Sequence, residues 1–326
     1  MVRSEPLSTP APAPPPAAPT PPTALPLIGT SDAAHALALA LLLPVAWLVP
    51  ARRWGPVCRR LGQALVALGA RRSAPWRHRL PETVRDPTVL RALPALPGQL
   101  LAQKIEALLQ VLRAYRPAGW RPAIALDGRE HVDRALARGR GAVLWVHRFR
   151  PLVHFVAFHR AGLPVSRPSD ELHGYFWRSR FGRRWLNPIQ NAVERRYCER
   201  IVVEPRSMRH LRALRARLLD NRLVSLYWDE LAGTRNVTVP FLGGRLRVAT
   251  RAVTLAAETG AALLPVFPLA VGPDTYRVIV EPPVDLDGPR GRRDLAAVAA
   301  ARQAARLEWY VRRWPDQWLD WWRVMP

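Results

Sequence analysis

The sequence predicts an α/β protein with a central mixed sheet flanked by helices and one hydrophobic helix ahead of it. Three observations point that way. From about residue 122, short apolar runs alternate with stretches of helical period, the pattern of a sheet with helices on its faces. Residues 56–121 read instead as helices interrupted by Pro81, Pro87, Pro94 and Pro97. The most apolar run of all, Ala33 to Pro50, precedes both.

These changes of pattern divide the chain into four segments. Residues 1–30 form a Pro/Ala-rich segment. Between Ser8 and Pro26 it carries no charge and no period, so it buries too little apolar surface to offset the entropy of ordering, and it reads as disordered. Residues 31–55 hold the hydrophobic helix and a basic flank. The run from Ala33 is about the minimum length that crosses a bilayer, and Pro44 interrupts it, so a helix lying on a surface or buried is the alternative to a span. A cleavable leader fits poorly, because no basic stretch immediately precedes the run and no small-residue cleavage site follows it. Arg52, Arg53, Arg59 and Arg60 come next. By the positive-inside tendency they place the following residues on the cytoplasmic side, which predicts the cytoplasmic face of the inner membrane. Residues 56–121 are a helical lead-in, whose Leu101, Ile105, Leu108, Leu109 and Leu112 form a stripe typical of core packing. Residues 122–326 are the α/β domain.

Within that domain the reading runs in order. A helix over 131–138 leads to a strand over 141–146 (GAVLWV). Strands follow over 163–166 and 201–203, then a helix over 208–219 and a strand over 223–228 (LVSLYW). A helix over 252–258, a strand over 262–269, an outer strand over 276–280 and a closing helix over 294–313 complete it.

The chain has 49 Lys plus Arg against 25 Asp plus Glu, a net charge of +24, and Lys104 is its one lysine. Such a balance favours anionic surfaces, although an Arg-, Ala- and Pro-rich composition is also what a GC-rich coding sequence gives. Nucleic acid is an unlikely partner, since the arginines are dispersed and no nucleic-acid-binding motif accompanies them. Two distant cysteines, Cys58 and Cys198, make neither a disulfide framework nor a metal motif.

Ligands of open α/β sheets bind beyond the carboxyl ends of strands. His147 follows the strand GAVLWV, Arg167 follows LPVS, and Asp229 and Glu230 follow LVSLYW. A neutral imidazole there can take a proton from an attacking hydroxyl. A guanidinium can grip a phosphate in a two-pronged hydrogen bond. A histidine after a strand is also an ordinary hydrogen-bonded turn residue, so position alone leaves both roles open.

Several motifs in sequence carry a resemblance. Gly128 to His147 (GREHVDRALARGRGAVLWVH) resembles the entry to the first block of the lipid A late acyltransferases, within the lysophospholipid acyltransferase superfamily. Ser166-Arg167-Pro168 is similar to the family's Arg-Pro element, and Leu223 to Asp229 to the strand ending in its Asp-Gln pair. Val239 to Gly243 (VPFLG), Thr259-Gly260-Ala261 with Pro265, Glu281-Pro282-Pro283 and the closing Pro315-Asp316-Gln317-Trp318 resemble later elements in the same order. The resemblance spans about residues 122–322. It implies a glycerolipid acyltransferase-like fold with no bound cofactor or metal, and an acyl carrier protein or coenzyme A thioester as donor. The acceptor it implies is a membrane lipid or glycolipid, with His147 as general base, Arg167 as an acceptor anchor and Asp229 or Glu230 on the acceptor side.

The departures are equally specific. The family's block is His-x4-Asp/Glu, but here it reads His147-Arg148-Phe149-Arg150-Pro151-Leu152, so Leu152 stands where the acid belongs. No other histidine has an acid five residues on. The missing carboxylate is the group that orients an imidazole and stabilises it once protonated. Arg148 and Arg150 oppose protonation further. A distant carboxylate such as Asp170, Glu171 or Asp229 is the remaining substitute. Two functions therefore stand: an O-acyltransferase, or an acyltransferase scaffold that binds lipid or acyl carrier without turnover. An RNA-binding role is a distant third. The carboxy-terminal Trp309, Trp314, Trp318, Trp321 and Trp322 read as packing of the last helix or as contacts with a membrane interface. His154 and His159 belong to a helix after the His147 turn, where packing or solvent exposure explains them, and Gly243-Gly244 marks a turn.

Overall fold

The computed structural model describes residues 26–29, 32–69, 80–170, 179–204, 207–228, 236–286 and 292–326. The lead-in contains α1 (Asp32–Leu48), α2 (Trp54–Ala67), α3 (Leu80–Thr83), α4 (Pro87–Ala92) and α5 (Leu96–Arg113). The prolines start helices as well as break them: Pro87 opens α4 behind an Asp86 cap that accepts from the Thr88 and Val89 amides, and Pro97 lies in the first turn of α5. The leucine stripe of α5 is core as expected, with Ile105, Leu109 and Leu112 buried against α1 and α2. Residues 26–29, at the end of the segment expected to be disordered, are hydrogen-bonded to the chain. The Arg180 amide donates to the Pro26 carbonyl and the Phe181 amide to that of Leu27.

The α/β domain runs β1 (Ala123–Asp127), α6 (Arg129–Ala137), β2 (Ala142–Val146), α7 (Val153–Arg160), β3 (Val165–Asp170), α8 (Asn187–Glu194), β4 (Glu199–Val203), α9 (Arg209–Leu219) and β5 (Leu223–Tyr227). It closes with β6 (Asn236–Phe241), β7 (Gly244–Ala249), α10 (Arg251–Thr259), β8 (Ala262–Gly272), β9 (Thr275–Val280), α11 (Arg292–Arg313) and β10 (Val324–Met325). Seven strands form one sheet in the order β1-β9-β8-β2-β5-β3-β4. All its pairs are parallel except β8 with β9, so the sheet is mixed, as the sequence predicts.

Two sequence expectations need correction. The run read as an outer strand, β9, is internal, because β1, a strand not foreseen, pairs along its outer side. The second strand starts later than expected and runs through Arg167 to Asp170, so Arg167 lies within β3 and not beyond it. Pro168 is tolerated there because β3 pairs with β5 only over Val165 and Ser166. The VPFLG motif ends β6 and makes the turn of a β6–β7 hairpin, which with β10 forms a separate three-stranded sheet.

Strand β2 lies at the middle of the large sheet and is wholly buried. Its Val143 and Trp145 join a core cluster with β5, β8, α10 and α11 on one face. Leu144 and Val146 join another with α7 and β9 on the opposite face. Two turns have a local explanation. Gly260 ends α10 with a left-handed φ of 69°, where the Ala261 amide reaches back to the Ala256 carbonyl. Gly243, at φ 90°, lies so close to the chain before α4 that an added Cβ would sit 2.9 Å from Arg85 Cβ. Replacing Gly243 by Val therefore combines backbone strain with a clash. We expect a loss above about 1 kcal/mol in chemical denaturation, whereas an unchanged midpoint would show that the hairpin turn relaxes freely.

Candidate functional site

The register of the sheet decides what surrounds His147. Val146 pairs with Val266 of β8 on one side and with Tyr227 of β5 on the other. The next residue along each neighbour is Phe267 and Trp228. Because the His147 amide donates to the Val266 carbonyl (3.0 Å) and the Trp228 amide to the Val146 carbonyl (3.3 Å), all three stay level. The imidazole therefore stacks on Phe267, with centroids 4.5 Å apart and planes 10° from parallel, and packs 4.7 Å from the Trp228 ring.

The fourth wall comes from α11. On the small-residue face made by Ala300, Ala304 and Leu307, Gln303 points its amide nitrogen at His147 Nε2, 2.9 Å away. With the amide donating, the ring proton lies on Nδ1, which has no hydrogen-bond partner among the described residues. Turning the amide over reverses the roles and leaves the same nitrogen unsatisfied. In neither arrangement does a carboxylate among the described residues meet the ring. His147 is 0% exposed, and burial holds its pKa down at about 3, so the ring is neutral through the physiological range.

α11 itself is held by the Glu-Pro-Pro turn. Glu281 accepts from Arg306 Nε through both oxygens (2.6 and 2.8 Å) and from the Tyr310 hydroxyl (2.7 Å). The closing motif has an equally definite task. The Gln317 side chain accepts from the Ala270 amide and donates to the Ala270 carbonyl, both at 2.9 Å, tying the carboxy-terminal segment to β8. Of the terminal tryptophans, Trp318 and Trp321 are fully buried, while Trp309 and Trp322 are half exposed.

Of the other residues singled out by sequence, those that the structure describes are not gathered around His147. Arg167 is buried, its guanidinium 3.1 Å from Glu194 of α8 and lying over the rings of Phe155 and Tyr227. Asp229 and Glu230 lie outside the described residues, as does Glu171. His154 on α7 is fully buried beside Ser225 (3.3 Å). Its pKa is also held at about 3, by burial first and by Arg167 second. His159 is exposed. In the motif block, Phe149 is buried edge-on against Phe267 and Tyr310. Leu152, in the acid's position, packs with Val111, Ala114 and Val193 between α5 and α8.

That turn borders a narrow cleft between α5, α8 and the carboxy-terminal segment, with a cavity volume of about 40 Å³. Its walls mix Val111 and Leu152 with Lys104, Gln110, Arg150 and Glu194, and His147 is not among them. Arg150 pairs with Glu106 (2.8 Å), which also accepts from the Tyr276 hydroxyl (2.9 Å). Lys104 is open to solvent along its length, yet crowding around its ammonium, and then Arg148, lower its pKa. Arg148 faces the buried Asp320 at 3.7 Å and lies over Tyr227.

Sequence reasoning missed Gln303, Glu194 and Glu106. Gln303 had a readable signal, since a lone amide between Ala300 and Ala304 falls on the buried stripe of an otherwise apolar helix face. Glu194 and Glu106 had none, because their partners are distant in the chain.

A mostly parallel sheet that delivers a histidine at the carboxyl end of its middle strand, followed by a turn and a helix, has the layout of an acyltransferase-type α/β domain. The family model described as Bacterial lipid A biosynthesis acyltransferase matches residues 101–323, and the chain belongs to that family. Membership suggests lipid acyltransferase activity, with a lipid-type acceptor and an acyl donor in general terms. Comparison with curated proteins gives no match.

Two measurements test the electrostatics. Unfolded imidazoles titrate near 6.5, whereas His147 and His154 do so near 3, so the unfolded chain binds more protons between those values. Stability is thus full above about pH 6.5 and declines as pH falls towards 3, by roughly 2 kcal/mol per imidazole at pH 5. A His147→Leu variant should lose less stability on acidification by about that amount, and parallel pH profiles would refute the assignment. Separately, Arg167→Met removes the guanidinium that lies 3.1 Å from the buried Glu194. It should cost about 3–5 kcal/mol in chemical denaturation, and a loss under 1 kcal/mol would mean that Glu194 is readily neutralised or rehydrated.

Proposed function

We propose that this chain retains the acyltransferase scaffold to bind a lipid or an acyl carrier at the cytoplasmic face of the inner membrane, without turnover through His147. The enclosure of that histidine carries the reading. Catalysis by a general base requires a ring nitrogen within reach of the substrate hydroxyl and a protonated form the site tolerates. Here Nε2 is taken by Gln303, Nδ1 meets no carboxylate among the described residues, and three aromatic rings exclude the solvent that would stabilise an imidazolium. The cleft beside Leu152 supports a binding role for a polar head, since its walls set Val111 and Leu152 against Lys104, Gln110, Arg150 and Glu194.

Acyl transfer is the second reading, favoured by family membership and by the position of His147 at the end of β2. In that reaction His147 takes the proton of a lipid hydroxyl. The oxygen attacks the carbonyl of an acyl carrier protein or coenzyme A thioester, and the thiol leaves as the ester forms. The ring must first part from Gln303, and Arg167 must exchange Glu194 for an acceptor phosphate.

One experiment separates the readings. Purified full-length protein is given acyl-coenzyme A or acyl carrier protein thioester with lysolipid or glycolipid acceptors. Thiol release is followed, and bound lipid is identified by mass spectrometry. We expect retained lipid or acyl thioester, thiol release no faster than in the protein-free control, and binding unchanged within about twofold in His147→Ala. Thiol release that disappears in His147→Ala would establish turnover in its place.

A further inference from the structure

Among the 49 Lys plus Arg of this chain, Lys104 is the single lysine. The two cations differ in their chemistry. A guanidinium stays protonated in proteins, whereas an amine titrates and, once neutral, attacks a carbonyl carbon. A chain that uses arginine for every other basic side chain has therefore one side-chain position for amine chemistry.

That position is in the middle of α5, on the wall of the cleft beside Leu152. The Lys104 side chain is exposed, so a reagent reaches it from solvent. The carboxylates of this region are engaged elsewhere: Glu106 with Arg150 and the Tyr276 hydroxyl, Glu194 with Arg167 and Gln190. Crowding around the ammonium, and then Arg148, hold the amine below the ordinary lysine pKa, which raises its neutral share.

The same cleft contains acceptors in need of a donor. Gln103, the residue before Lys104, is 7% exposed, and its Nε2 donates to the Asp316 carbonyl. That contact fixes the amide and leaves Oε1 buried with no hydrogen-bond partner among the described residues. Gln190 on α8 repeats the arrangement: Nε2 donates to Glu194 (3.0 Å), and Oε1 is left buried and unpartnered among the described residues. Both residues line the cleft. A buried acceptor without a donor is costly, so two of them on facing walls suit a ligand that carries N–H groups. The slender arm of a coenzyme A or acyl carrier protein thioester carries amide N–H groups between its phosphate and its sulfur. A cleft of about 40 Å³ is narrow enough to exclude a bulky group and leave the acyl end at the exposed lysine.

We infer that Lys104 is an acylation site, whose amine takes the acyl group of a coenzyme A or acyl carrier protein thioester held by the cleft. The neutral Nζ adds to the thioester carbonyl, the C–S bond breaks, and the amine's proton goes to the departing thiolate. The products are an Nε-acyl-lysine and a free thiol, and nothing is oxidised or reduced. The amide is stable, so release stops at one thiol per chain. With protein in catalytic amounts this adds nothing measurable to a turnover assay. The inference rests on the acyl-thioester binding proposed above.

The test uses purified full-length protein and acetyl-coenzyme A at comparable concentrations, read by intact mass and peptide mapping. Trypsin cuts after Arg91, Lys104 and Arg113, so acylation of Lys104 gives an uncut peptide of residues 92–113. We expect that peptide to form at least about tenfold faster in the folded chain than in the same chain unfolded in urea. The adduct should survive hydroxylamine, as an amide does, and its rate should reach half its maximum below the ordinary lysine pKa. Lys104→Arg should leave the chain unacylated except at its amino terminus. Equal rates in the folded and unfolded chains, or an adduct confined to the amino terminus, overturn the inference. Binding is read separately, by retention of a thioether analogue of acetyl-coenzyme A that has no acyl group to transfer. Retention of the analogue without acylation of Lys104 overturns the inference alone and leaves the binding reading standing. Failure to retain the analogue overturns both.

Discussion

The register of β2 between β5 and β8 is the constraint from which the rest of the site follows. Once Val146 is level with Tyr227 and Val266, the three residues that follow must share one small volume. They are His147, Trp228 and Phe267. An imidazole placed there is already flanked by aromatic rings, and α11 closes the side that remains. Its neutral state, its stacking and its need for a single polar neighbour are consequences of strand pairing.

α11 answers that need, and the family motifs that surround it acquire a structural meaning. Glu281 receives Arg306 and Tyr310, which sets the helix at the depth where Gln303 meets the ring. Gln317 clamps the segment beyond the helix to β8, and the Leu319 amide then donates to the Arg148 carbonyl. The Glu-Pro-Pro and Pro-Asp-Gln-Trp elements thus act as fasteners for the wall over His147. The motif turn has adapted in the same direction. Leu152 packs into the apolar core where the family pattern has an acid, Phe149 is buried as well, and the cations Arg148 and Arg150 turn to Asp320 and Glu106.

Much of this architecture was legible in the sequence, and the parts that were not share a cause. GAVLWV and LVSLYW announced β2 and β5 because strands buried on both faces are continuously apolar. The five residues of β1, AIALD, are only partly buried at the sheet edge and carry no such signal. The β6–β7 hairpin was hidden although β6 alternates, because Pro240 interrupts a short run and reads as a strand breaker. His147 was placed correctly at a strand end. Whether it opened into a cleft depended on Gln303, 156 residues away, and on neighbours set by sheet order. The sequence pattern places Arg167 beyond a strand that ends at Ser166, two residues before Pro168, and its partner Glu194 comes from a helix that local pattern does not tie to it.

The sheet order also fixes the timing of assembly. β1 finds its partner only in β9, and the wall over His147 is complete only when residues 303–319 have arrived. The apolar surface of α1, α2 and α5, by contrast, is built from residues 32–113. At roughly 5–20 residues per second, synthesis of the remaining 200 or so residues occupies on the order of ten to forty seconds. Through that interval a sticky helical cluster precedes a domain that cannot yet close. A chain with this plan therefore depends on something to shelter its leading end during translation, and its later half must fold while that end is already engaged.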